Sequence, residues 1–260
     1  MKAPKSRGTS KVRRAVAVSV VPAAGALAES ALASLRAQRR EPSDHPASGG
    51  HGTVLERLGL MVPELREVTR RTAREAKSMT APQVLALVRR LVGSGTFEGR
   101  QVGYEILGRR RDARAELDAR SLERLARGMD NWVTVDTFAA EVVGRVWAEG
   151  RIADAVVHRW AHSKDRWWRR LALASAVALN TPARGGHGDP DRTLALCGLL
   201  AADRDDMVVK ALSWALRSVV AHDPKRVRAF LSEHGDTLAP RVRREVTTKL
   251  TTGLKSGKRK

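Results

Sequence analysis

Four stretches of this chain align with one another at nearly constant spacing, and that period restricts the fold more than any other feature. Val102-Gly103-Tyr104-Glu105-Ile106-Leu107-Gly108 stands 34 residues before Asp136-Thr137-Phe138-Ala139-Ala140-Glu141-Val142-Val143-Gly144. Asp136 in turn stands 34 residues before Arg170-Leu171-Ala172-Leu173-Ala174-Ser175-Ala176-Val177. Lys210-Ala211-Leu212-Ser213-Trp214-Ala215-Leu216-Arg217 follows after a further 40. Steps of this size are those of helical hairpins, none of which buries its apolar face alone, so neighbours must stack. No stretch shows sustained period-2 alternation of β-branched residues, and no sheet is expected.

Helical patterns are expected at about 63–77, 81–93, 97–109, 114–127, 131–148, 151–162, 165–180, 191–203, 206–222, 224–235 and 239–251. Thr80 is placed to cap the helix opening Ala81-Pro82, and Asp223-Pro224 repeats the device. The segment from Asn180 to Pro190, with Gly185, Gly186 and Gly188, must be a loop. The organisation expected is a flexible basic arm at 1–14, then a weak helix and a Gly/Pro/Ser linker at 15–52. That helix covers 15–39 and is interrupted by Pro22. The repeat domain follows at 53–251, and a basic tail at 252–260. The fold class is therefore all-α: a right-handed superhelix, or α-α solenoid, of HEAT-like helical-hairpin repeats with a concave basic cleft.

Charge narrows the partners. The 260 residues carry 48 Lys+Arg against 28 Asp+Glu, a formal net charge of +20. Such a field attracts polyanions, with DNA, RNA and anionic membrane surfaces as the classes. One cysteine, Cys197, excludes an intramolecular disulfide and, in its apolar run, reads as a small buried residue. Asp154, His158 and His162 share a helical spacing that could hold a metal. Arg159, however, stands where a zinc-protease helix carries its glutamate, and no metal site is expected. Lys11-Val12-Arg13-Arg14 before an Ala/Val-rich stretch imitates a secretory signal, but the run continues with helical periodicity and reads as a helix. No segment reaches the length of a membrane span. A soluble, cytoplasmic and nucleoid-associated monomer is expected, with no membrane partner.

The chemistry concentrates on the repeat register. Trp132 and Asp136 lie one helical turn apart and share a face. Arg170, Lys210 and Trp214 occupy equivalent places on later repeats. A lone carboxylate on a basic, aromatic-lined surface stabilises a developing cation or orients a water. Its plainer role is helix capping or pairing with Arg170, just as tryptophans mostly serve as packing anchors. Arg166, Arg169 and Arg170 crowd around Trp167 and Trp168, and guanidinium groups suit backbone phosphates. Lys210 and Arg217 extend the same positive surface. Arg241, Arg243 and Arg244 are compatible with DNA contact and equally with a solvated face.

At this point the chain resembles the AlkD-like DNA alkylation repair glycosylases, built from HEAT-like repeats. The resemblance rests on Gly59-Leu60-Met61-Val62-Pro63-Glu64-Leu65-Arg66, Asn131-Trp132-Val133-Thr134-Val135-Asp136, Arg166-Trp167-Trp168-Arg169-Arg170 and Lys210 to Arg217, and covers roughly 55–250. It implies excision of positively charged N3- or N7-alkylated purines from double-stranded DNA by cleavage of the N-glycosidic bond, without cofactor or metal. On these positions it implies Asp136 as catalytic aspartate, Trp132 and Trp214 as cleft tryptophans, and Arg170 as a phosphate contact. Arg166, Arg169, Lys210 and Arg217 complete the expected DNA-binding set. The family's aromatic and basic segment ahead of Gly59 is replaced here by the linker, and Tyr104 is the only tyrosine. Two other functions compete: a non-catalytic repeat protein that binds damaged, bent or branched DNA, and a protein-binding scaffold.

Overall fold

The computed structural model describes residues 9–41 and 52–255, with side chains from residue 23 onward. The first part of the basic arm, the centre of the linker and the end of the basic tail lie outside the described residues. Among the described residues there are helices and one isolated bridge, Glu56 to Thr96, but no strand. The described residues divide into two compact units, one of residues 9–41 and 55–116, the other of residues 52–54 and 117–255.

In the first unit, α1 (Thr9–Ala37) packs on α2 (Val62–Glu75) and α3 (Ala81–Val92), both of these pack on α4 (Phe97–Arg109), and α5 (Arg111–Ala115) packs on α3 and α4. The N-terminal helix begins earlier than 15 and runs through Pro22 without interruption. Alanine-rich sequence favours the helix on both sides of the proline. Beyond it Ala24, Leu27, Ala28, Ala31, Leu32 and Leu35 are buried. Thr80 caps α3 as expected, with its N–H donating to Gln83 Oε1 at 2.9 Å. Gly59 has φ +76°, and a Cβ there would stand 2.3 Å from the Arg40 carbonyl oxygen, so the turn requires glycine. Buried Glu98 fixes that turn by accepting the N–H groups of Leu58 (3.0 Å) and Gly59 (2.9 Å).

The second unit contains α6 (Ala119–Ala126), α7 (Trp132–Phe138), α8 (Gly144–Ala148), α9 (Asp154–Ala161), α10 (Arg166–Leu179), α11 (Pro190–Leu199), α12 (Asp206–Val219), α13 (Pro224–Glu233) and α14 (Pro240–Thr252). The single helix expected over 114–127 is two, because Asp118 leaves helical geometry to cap α6, accepting Ser121 N–H at 2.7 Å. Helices α7, α10, α12 and α14 form one layer by sequential packing, and α9, α11 and α13 form another. This is the packing of a helical-repeat solenoid. The loop after α10 is pinned by Asn180, whose amide donates to Thr193 and Ser218 while its Oδ1 accepts Asp189 N–H.

Cys197 is fully buried, and burial pushes its thiol well above the usual range. Among the described residues no cluster of His, Cys, Asp and Glu could hold a metal ion. Asp154 is instead engaged by the Trp147 indole N–H at 2.7 Å. Among the same residues no helix is long and apolar enough to cross a membrane.

Candidate functional site

The site begins at the N-terminus of α7. Asn131 is completely buried and caps the helix, its Oδ1 accepting Thr134 N–H at 2.9 Å. Trp132 is thereby the first helical residue, and Asp136 follows one turn later. Immediately beyond, residues Ala139–Val143 form a π turn before α8 resumes. Eight residues of ideal α-helix would rotate Gly144 about 80° away from Asp136. The π turn takes up one extra residue, a lag of about 100°, and brings the two positions back to within about 20°. Both therefore face α10, where Asp136 meets Arg170 and Gly144 lies against Ser175 and Ala178.

Arg170 grips Asp136 with two parallel bonds, Nε to Oδ1 at 2.8 Å and Nη2 to Oδ2 at 2.7 Å. Its Nη1 donates to the Met207 carbonyl, so one guanidinium ties α7, α10 and α12 together. The Arg170 side chain is 6% exposed and that of Asp136 16%. Burial pushes the Asp136 carboxyl above the usual carboxylate range, against the opposing pull of the Arg170 charge and its hydrogen bonds. Arg170 was expected to present itself to phosphate, but most of its donors are committed within the protein.

Around this pair lies a cavity of about 540 Å³, walled by Trp132 and Trp214 and floored by Asp136, Arg170 and Met207. Lys210, Arg217, Arg241 and Lys255 add positive charge, and Glu245 adds a second carboxylate. The layered packing explains this convergence, since α12 contributes Met207, Lys210, Trp214 and Arg217 at helical spacing, while α7, α10 and α14 each add one or two residues. Glu245 accepts the Ser213 hydroxyl at 2.7 Å and pairs with Arg217 at 3.7 Å. Burial lowers the Arg217 pKa, with Glu245 opposing that effect. On the rim, Lys210 pairs with Asp206 at 2.7 Å, and Arg241 reaches the same carboxylate at 3.4 Å.

The structure thus gathers Trp132, Asp136, Arg170, Lys210, Trp214 and Arg217 into one place. Arg166 and Arg169 do not line it. Arg169 is a structural clasp, donating to Asp203 at 2.7 Å and to the carbonyls of Ser163 and Lys164. Arg166 pairs with Asp205 at 3.3 Å and lies over the Trp167 ring. Arg169 thereby ties the segment before α10 to Asp203, and Arg166 reaches the residue that caps α12. Glu245 and Arg241 complete the cavity wall on α14. Their signal was present, because Lys210/Trp214 recurs as Arg241/Glu245 after 31 residues, one more turn of the same register.

The family model described as DNA alkylation repair enzyme matches residues 31–250. No curated protein matches the chain. The matched span contains every residue that walls the cavity except Lys255. The match spans most of the chain, and the chain belongs to the DNA alkylation repair enzyme family.

Proposed function

We propose that this protein is a DNA glycosylase that releases N3- and N7-alkylated purines from duplex DNA by hydrolysing the N-glycosidic bond. The observation that carries the reading is a carboxylate, Asp136, sharing a cavity with two half-exposed indoles inside a ring of cations. An alkylated purine is already cationic and leaves with the bonding electrons as a neutral base. Positive charge then develops on the deoxyribose, and water adds to the anomeric carbon and loses a proton. Asp136 lowers that barrier electrostatically, more strongly at a desolvated site than in water. A carboxylate has about four lone-pair sites. Arg170 occupies one on each oxygen, which leaves each oxygen one acceptor direction while its orientation is held.

Trp132 and Trp214 offer indole faces whose attraction for the sugar strengthens as charge develops. Lys210, Arg217 and Arg241 supply attraction for the backbone. The enzyme acts as a monomer on cytoplasmic, nucleoid DNA in base excision repair. The test is release of 7-methylguanine and 3-methyladenine from methylated duplex. Asp136→Asn is expected to keep DNA binding and to slow release by about 100-fold or more. Unchanged release by that variant overturns the assignment. The bidentate lock on Asp136 favours a second reading, a non-catalytic binder of damaged DNA, which predicts no base release by the wild type.

A further inference from the structure

Three carboxylates contact the cations of this cavity, Asp136, Asp206 and Glu245, and the first two are held in opposite ways. Asp136 is only 16% exposed, with both oxygens gripped by a buried guanidinium. Asp206, the first residue of α12, has a side chain 60% exposed. Its Oδ2 accepts the Lys210 ammonium at 2.7 Å and its Oδ1 faces Arg241 Nη1 at 3.4 Å. Lys210 belongs to the same helix one turn on, whereas Arg241 comes from α14, so Asp206 bridges two neighbouring helices.

We propose that Lys210 and Arg241 form a seat for one DNA backbone phosphodiester, which Asp206 occupies in the free protein and vacates when duplex docks. A phosphodiester and a carboxylate each carry one negative charge and take charge-assisted bonds from the same donors. An exposed ion pair between mobile side chains is weakly held and opens readily, whereas the desolvated Asp136–Arg170 pair does not. One acid therefore stays for the chemistry while the other gives way to the substrate. The Lys210 hydrogen bond, then the Lys210, Arg241 and Arg170 charges, hold the Asp206 carboxyl below the usual range. It stays ionised at neutral pH, and the exchange requires no proton. Asp206 also keeps both cations extended over the rim and tempers their hold on undamaged DNA.

The inference rests on the proposed DNA-binding reading but not on the glycosylase chemistry, so its test uses undamaged duplex and no base release. Anisotropy of a labelled duplex across a KCl series compares full-length wild type, Asp206→Asn and Asp206→Ser. Asp191→Asn is the control, since Asp191 pairs with Arg226 at 2.6 Å and lies outside the cavity wall. Both Asp206 variants are expected to bind about three- to tenfold tighter than Asp191→Asn. Their log–log salt slope steepens by up to about one, as an additional phosphate contact becomes fully countable. Adding Arg241→Ala to Asp206→Asn removes the gain. Inorganic phosphate at matched ionic strength competes only weakly, because the seat is one point of a longer backbone contact. Affinity and slope equal to the control overturn the proposal, as does a gain that survives Arg241→Ala.

Discussion

Gly144 lies so close to Ser175 that a Cβ at residue 144 would stand 2.3 Å from the Ser175 carbonyl oxygen. This approach seats α8 on α10, and the π turn between Phe138 and Gly144 keeps Asp136 on the same face. The Asp136 carboxylate is thus aimed by packing two turns downstream of it.

Gly144→Ala forces the two helices apart and is expected to cost about 2 kcal/mol or more, the scale of overpacking in a filled core. Misalignment of Asp136 should also reduce the single-turnover rate of base release by about tenfold or more. Thermal unfolding and single-turnover kinetics on the same preparation check both. Wild-type values in each would show that α8 and α10 do not approach this closely.

Arg170→Ala removes the partner of a desolvated carboxylate and is expected to destabilise the protein by about 3–5 kcal/mol. The double variant Asp136→Ala/Arg170→Ala should cost less than the sum of the single changes, because neither charge is then left alone. Urea unfolding of the three variants measures that coupling. Simple additivity would mean that the pair contributes no mutual energy.

The pH profile follows from Asp136. Its carboxyl is pushed above the usual range by burial, and the ionised form is the one that stabilises a sugar cation. Base release should therefore fall as pH drops, with an inflection above the ordinary aspartate value of about 3.9. The sign for stability is the reverse. A raised folded-state pKa contributes stability below the unfolded value and loses it as pH rises through the folded one. The melting temperature of wild type relative to Asp136→Asn should accordingly decline as pH rises through that window. A difference that grows instead would place the Asp136 pKa below the ordinary range.

Trp132→Phe and Trp214→Phe keep an aromatic face but weaken its attraction for a cation. A loss of about 1 kcal/mol of transition-state stabilisation, roughly five- to tenfold in rate, is expected for each. Affinity for undamaged duplex should stay within about twofold. Steady-state release and equilibrium binding separate the two effects, and a loss confined to binding would make the indoles backbone contacts.

Much of the site was legible because a solenoid converts sequence period into spatial register. Trp132, Asp136, Arg170, Lys210 and Trp214 were recognisable from spacing alone, since stacked hairpins present equivalent positions on one layer. Arg166 and Arg169 belong to the same basic cluster in sequence, yet they stand outside the cavity wall. A basic residue at a helix start has the same sequence signature whether it faces DNA or clasps Asp203 and Asp205. Glu245 is marked in the sequence by register alone, since it repeats the place of Trp214 after 31 residues.

By itself the sequence determined the all-helical class and the stacking of helical repeats, because apolar spacing and hairpin length are local properties. It also determined the caps at Thr80 and Asp223, where side chain and backbone are neighbours along the chain. Only the tertiary structure decided that Arg170 is spent on Asp136 and Met207, and that a π turn restores the alignment of Asp136 with Gly144. It also decided that Asp206 bridges Lys210 to Arg241. Those outcomes depend on which donors from separate helices reach one acceptor first, a competition settled by ångström-scale packing that no linear spacing encodes.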